Sequence, residues 1–180
     1  MSDTIQEEKE KLEKQLVVAH GKVEYTYTAH HKIENRLENI DKFIRTLQII
    51  ITAVSTVGFL ATVITNQILL SWVGGVFAAL SLGLNIYSKD FKLVTEARAH
   101  KDAADELWVI KNEYENLITD IDGLDLAAIR EKRNKLQSDT DIVNKRYPGT
   151  DRRGYRAAQK ALQEEDEQTF DDGEAERFLP

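Results

Sequence analysis

Four histidines, His20, His30, His31 and His100, are the residues of this chain with the most obvious chemistry to offer. If the chain doubles back about Asn66, positions 30 and 100 fall nearly level. His30, His31 and His100 then come within reach of a shared metal. The same spacing also suits polar layers in a helical seam, which fix register, and that is the commoner use of such residues. A second group is the basic stretch KRYPGTDRRGYRAAQK, with Lys145, Arg146, Arg152, Arg153, Arg156 and Lys160 interleaved with Tyr147 and Tyr155. Arginine forks match phosphate and carboxylate, and tyrosine rings stack on planar groups. Three occupants suit this stretch: the acidic tail directly after it, anionic lipid, or a nucleotide or protein partner. A third group is a set of hydroxyls and amides inside an apolar run: Gln48, Thr52, Ser55, Thr62 and Asn66 on one helical face, and Ser71, Gly74 or Gly75, Ala78, Ser81, Asn85 and Ser88 on another.

None of these groups makes a catalytic constellation. The chain has no cysteine, which excludes disulfides and thiolate metal sites. It has no phosphate-cradling glycine loop and no nucleophile elbow. We therefore assign no catalytic residue, no cofactor and no metal, and expect a protein that is not an enzyme and does not bind nucleic acid.

The elements that must carry these residues are set by a charge-free run, Thr46–Ser88, 43 residues without Asp, Glu, Lys, Arg or His. A spanning helix needs roughly 20 apolar residues, so the run divides into spans at 46–64 and 68–88 with a turn at 65–67. The alternative is a buried helical hairpin of a soluble protein. Lys42 and Arg45 precede the first span and Lys89 and Lys92 follow the second, while the turn is uncharged. The positive-inside rule then puts both ends in the cytosol. Gly75, Ala79 and Gly83 form a small-residue face suited to close helix packing. The candidate pore or packing face is Gln48, Thr52, Ser55, Thr62, Ser81 and Asn85. Two helices cannot enclose water while keeping lipid out, so any pore must be oligomeric.

Both spans continue into cytosolic helices. Residues 1–21 read as a short helix ending at Gly21, and the strongly charged Met1–Gln15 is unlike a signal peptide. Residues 22–45 lead into the first span through a heptad seam of His30, Ile33, Leu37, Ile40, Ile44, Leu47, Ile51 and Val54. The return helix, 89–121, has its own seam of Ile86, Leu93, Ala97, His100, Ala104, Leu107, Tyr114, Ile118 and Ile121, interrupted by Asp90 and Lys111. Residues 122–165 hold two more helices. One, near Leu126–Lys145, is capped by Asp125 and edged by Ile129, Leu136, Ile142 and Val143; the other covers Arg152–Glu165. Residues 129–160 carry a net +6 and 161–180 a net −7, so the basic stretch faces an acidic neighbour in sequence. The tail, 166–180, is expected to be disordered or weakly docked.

Assembled this way, the chain resembles the SLATT-domain family of small bacterial two-transmembrane effectors. The resemblance covers about Tyr25 to Gln163. It is carried by YTYTAHHKIENRL, the tight two-span hairpin, EARAHKDAADELWVIKNEYENL, and the PGTDRRGYRAA turn with its final helix. It implies an all-α membrane protein, a two-transmembrane antiparallel hairpin extended by a cytosolic coiled coil and C-terminal helices. It implies a location in the bacterial inner membrane, multi-pass, with both termini cytosolic. The implied function is antiphage defence by abortive infection. The protein would form homo-oligomeric pores, or otherwise disrupt the membrane, on a nucleotide signal or a partner. Implied partners are membrane lipid, further copies of the chain, and a cyclic-oligonucleotide synthase system, a SLOG protein or a reverse transcriptase. The alternative is a non-enzymatic, membrane-anchored coiled-coil scaffold that presents its helices to soluble proteins.

Overall fold

The computed structural model describes residues 2–65, 68–90, 92–167, 169, 174 and 177, with the backbone alone at residues 2, 3, 62, 63, 65, 70 and 90. Every regular element among them is helical: α1 (Ser2–Thr65), α2 (Ile68–Asp90), α3 (Leu93–Thr119), a 3-10 turn at Ile121–Gly123, α4 (Leu126–Arg146) and α5 (Arg152–Gln163). The all-α expectation holds. The turn expected at 65–67 falls largely on Asn66 and Gln67, outside the described residues, as does most of the acidic tail.

Two expected boundaries differ. The break at Gly21 is absent, because α1 is one helix of 64 residues. Glycine inside a helix costs about 1 kcal/mol relative to alanine. Buried Leu12 and Leu16 before it and Val23 after it each contribute roughly 1.5–3 kcal/mol by leaving water, so tertiary packing wins. The return path, expected to run unbroken from the second span, is instead divided. α2 ends at Asp90, α3 starts at Leu93, and between them Lys92 has φ +44°. A left-handed residue cannot continue an α-helix, and its carbonyl instead starts α3 by accepting from Thr95 and Glu96 N–H.

The chain forms two compact units, Met1–Ile33 with Ala99–Pro180, and Glu34–Arg98. In the first unit, α3 turns one face inward at Ala103, Leu107, Ile110, Tyr114 and Leu117, the three- and four-residue spacing of an amphipathic helix. α4 adds Ile129, Leu136 and Val143, one residue every second turn, while Ile142 stays exposed. Asp125 starts α4 as expected, its Oδ1 accepting from Ala128 N–H at 2.8 Å. Asp151 does the same for α5 through Gly154 N–H at 2.6 Å. Each such cap stabilises by about 0.5–2 kcal/mol. α5 buries only small residues, Gly154, Ala158 and Ala161. A Cβ at Gly154 would lie 2.5 Å from Ile33 Cγ1 and 3.2 Å from Ala29 O, so glycine is what lets α5 lie this close to α1.

In the second unit, α1 and α2 run antiparallel. Thr52 Oγ1 lies 3.4 Å from Ser81 Oγ, and a Cβ at Gly74 would be 3.7 Å from both Ser55 O and Phe59 N. The buried positions of α1 here are Glu34, Leu37, Asp41, Ile44 and Ile51, while Ile40 and Val54, both expected in the seam, are 38% and 41% exposed. The contact face is thus displaced by one residue at every second position. From Thr46 onward apolar residues surround this helix on all sides, so hydrophobicity singles out no face there. Small and polar side chains, which permit close approach, take the contact instead.

Candidate functional site

The displaced seam decides where the expected polar residues sit. The half-buried residues here are Leu47, Gln48, Ser55, Gly58 and Ala61 on α1 and Gly74, Phe77, Ser81, Leu84 and Ser88 on α2, so Leu47 of the expected seam stays at the contact beside Gln48. Glu34, Asp41, Gln48 and Ser55 are exactly one heptad apart and form a polar column down one edge of the α1 contact face. Leu37, Ile44 and Ile51 form the apolar column beside it. Asp41 is 9% exposed, and its carboxylate accepts from Arg45 Nε at 2.6 Å. Ser55 Oγ is buried without a hydrogen-bond partner. A buried hydroxyl without a partner costs of order 1–3 kcal/mol.

Of the six residues assigned to a pore or packing face, Gln48, Ser55 and Ser81 therefore lie on the α1–α2 contact. Thr52 and Asn85 are exposed at its margin, and each is tied to its own helix: Thr52 Oγ1 donates to Gln48 O at 2.7 Å and Asn85 Nδ2 to Ser81 O at 3.0 Å. The side chain of Thr62 is outside the described residues. Gly75, Ala79 and Gly83 lie together on the outward face of α2, all exposed, and no atom comes within 4 Å of a Cβ built at Gly75 or Gly83. The close approach inside the pair belongs to Gly74. Sequence reasoning left Gly74 and Gly75 unresolved and missed the polar column. The column was nonetheless visible as Glu34-Asp41-Gln48-Ser55, a polar residue every seventh position.

The basic stretch disperses. Arg146 Nη1 donates to Glu106 Oε1 at 2.8 Å, and Tyr147 Oη donates to the same oxygen at 2.7 Å. That second bond, more than burial, raises the Tyr147 phenol above its ordinary range. Lys160 pairs with Glu165, and Lys32 of α1 grips both oxygens of Glu167 at 2.6 and 2.8 Å. The acidic segment after α5 thus engages one member of the basic stretch and one lysine outside it. Arg152, Arg153 and Arg156 are exposed, and no ion pair joins them to any other of the described residues.

His30 and His100 do meet. Their Nδ1 atoms are 2.8 Å apart and both rings are buried, at 3% and 5% exposure. One Nδ1 must donate and the other accept, so the pair cannot be doubly protonated in this geometry. His31 points elsewhere, exposed and parallel to the Tyr27 ring at 6.3 Å. The geometry is that of a polar layer joining α1 to α3. Burial first, and the neighbouring imidazole second, push His30 down to about 4 from its usual 6.5. Between those values the unfolded chain binds a proton that the folded chain does not, so stability falls as pH drops from 6.5 toward 4. We expect the melting temperature of the detergent-solubilised chain to fall across that window and to fall less steeply in His30→Gln. An unchanged slope in His30→Gln would assign the acid sensitivity to other groups.

The sequence comparison is decisive about family. Residues 12–174 match the model described as SMODS and SLOG-associating 2TM effector domain family 4. The chain belongs to this family. The match includes α1 from Leu12 and all of α2 to α5, so both units lie inside the family domain rather than one being an appendage. SLATT family 4 is by description a two-transmembrane effector family. One segment within Thr4–Ala61 has a mean hydropathy of 1.7 over 18 residues, high enough for a crossing, and only 11% of it is buried within the chain. No curated protein and no solved structure matches the chain.

Proposed function

We propose that this SLATT protein is an effector of bacterial antiphage defence, seated in the inner membrane with both termini in the cytosol. Its α1–α2 pairs would assemble into homo-oligomers that open water-filled paths when triggered by a nucleotide signal or a partner protein. The observation that carries this reading is the inverted pattern of the second unit. Large apolar side chains point outward, including Phe43 at 68% exposure, Ile49 at 71%, Phe59 at 66%, Ile64 at 83% and Trp72 at 72%. The polar column is turned inward. At roughly 1.5–3 kcal/mol per apolar side chain left in water, such a surface calls for lipid or further copies of the chain. A buried soluble hairpin would have the opposite pattern.

Gln48, Ser55 and Ser81 can line water only if α1 and α2 separate or rotate, since these residues face the contact within one chain. In this mechanism opening trades the α1–α2 contact, in which Ser55 Oγ is buried without a partner, for contacts between chains. The outward Gly75, Ala79 and Gly83 face supplies the close-packing surface for those contacts. The exposed Arg152, Arg153 and Arg156 of α5 favour, as a second reading, an anionic soluble partner docked on a membrane-anchored scaffold.

The test is entry of a membrane-impermeant dye into cells expressing the chain together with its neighbouring genes during phage challenge. Dye entry is expected for the natural chain. In Ala79→Leu both dye entry and the chemically cross-linked oligomer ladder should be lost, because an isobutyl side chain in place of a methyl holds neighbouring helices apart. A natural chain that leaves the membrane sealed while still protecting the culture would rule out the pore and leave the scaffold.

A further inference from the structure

A groove of about 1190 Å³ lies in the first unit between α1 and α4, with Tyr114 of α3 and Tyr155 of α5 also lining it. Ligand pockets commonly enclose roughly 300–1,000 Å³, so there is room for a small molecule with several rings or phosphates. Three cations line it, Lys14, Lys22 and Arg133, against one carboxylate, Asp141. This is a local positive excess in a chain of net charge −7. Among the described residues neither Lys14 nor Lys22 has a carboxylate partner. Arg133 is held by neutral amides alone: Nη1 donates to Gln15 Oε1 at 2.9 Å, and Nη2 donates to Asn134 Oδ1 at 2.9 Å. Its guanidinium is thus fixed in direction without its charge being cancelled.

Two further features complete the groove. Tyr25 and Tyr155 stack at 5.8 Å between ring centroids with planes 27° apart, and Tyr155 is 53% exposed, so one aromatic face remains open. Gly21 lines the wall in mid-helix, and a Cβ built there meets no atom within 4 Å. Neither a turn nor a close helix contact accounts for that glycine. It does keep the α1 wall low beside Lys22.

From this arrangement we propose that the groove binds a nucleotide-class ligand directly, with phosphates on Lys14, Lys22 and Arg133 and a planar base on the open face of Tyr155. Oriented guanidinium and ammonium groups select phosphate, and stacking on tyrosine selects a ring attached to it. Simple inorganic phosphate would use only half of the site. The proposal deepens the triggering step of the function above. It places the receptor in this chain rather than in a partner, and it is tested apart from pore formation.

The experiment is equilibrium binding to the full-length chain in detergent, with ATP, GTP, CTP and UTP as probes and with tripolyphosphate and the free nucleosides as separate arms. At least one nucleotide should bind saturably and more tightly than tripolyphosphate, and the nucleosides should not bind. A charge-assisted contact contributes about 1.5–3 kcal/mol, so Arg133→Gln should weaken binding by about tenfold or more. Tyr155→Ala should weaken nucleotide but not tripolyphosphate binding. Gly21→Leu fills the groove at a position with free space and should abolish binding while leaving the melting temperature equal or higher. The proposal is overturned if none of the four nucleotides binds, if tripolyphosphate binds as tightly as they do, or if Gly21→Leu binds with full affinity. Dye entry plays no part in any arm, so loss of the pore reading would leave these results interpretable.

Discussion

Joining α1 to α2 with a disulfide between Thr52→Cys and Ser81→Cys should stop dye entry under oxidising conditions, and reduction should restore it. The two hydroxyl oxygens lie 3.4 Å apart, close enough for sulfurs at the same positions to reach bonding distance with a small rotamer change. The chain contains no cysteine, so this bond has no internal competitor, and each single-cysteine chain serves as a control for links between chains. The expected effect is large because the polar residues offered to water, Gln48, Ser55 and Ser81, face the contact that the disulfide closes. Ser55 Oγ, buried without a partner, makes the closed pair poised rather than maximally stable. Dye entry that persists in fully oxidised protein would mean the path forms between intact pairs. The outward face of α2 would then have to line it.

Lys111→Ala should be among the most destabilising substitutions in the first unit. Lys111 is 8% exposed, its ammonium lies 3.2 Å from Glu24 Oε1, and it sits 4.8 Å over the Trp108 ring. Removing one partner of a buried ion pair costs about 3–5 kcal/mol, because the other charge is left behind. Glu24 retains 23% side-chain exposure, which places the expectation at the lower end of that range. Thermal melting should show a loss of several degrees. The combined Glu24→Gln, Lys111→Met chain should recover most of it, since Met keeps the contact with Trp108 and no charge is stranded. If Lys111→Ala melts with the parent, the pair is an ornament of the surface rather than a fastening between α1 and α3.

Lys111 also illustrates what a linear pattern conveys. Along the return helix it interrupts an apolar seam, yet Leu93, Ala97, His100, Ala104, Leu107, Tyr114 and Ile121 of that seam are all buried, because α3 has one apolar face and water lies opposite. Where a helix is amphipathic, spacing alone identifies the buried side. The same holds for Asp125 as the cap of α4 and for the level pairing of His30 with His100. These depend on local hydrogen bonding and on the register of a doubled-back chain.

In the charge-free run that logic has nothing to act on. Composition determined that Thr46–Ser88 is an uninterrupted charge-free run. With apolar side chains on every side, it did not determine which face of α1 meets α2. Only the tertiary structure decided that, turning Gln48 and Ser55 inward in place of Val54 and choosing Gly74 over Gly75 for the close approach. The groove of the first unit likewise brings Lys14 and Lys22 together with Arg133 and Tyr155, from two stretches more than a hundred residues apart in sequence. The physical reason is common to both. Hydrophobic burial specifies a face only when the surroundings are water, whereas close packing and polar satisfaction depend on the neighbouring helix, which no single segment encodes.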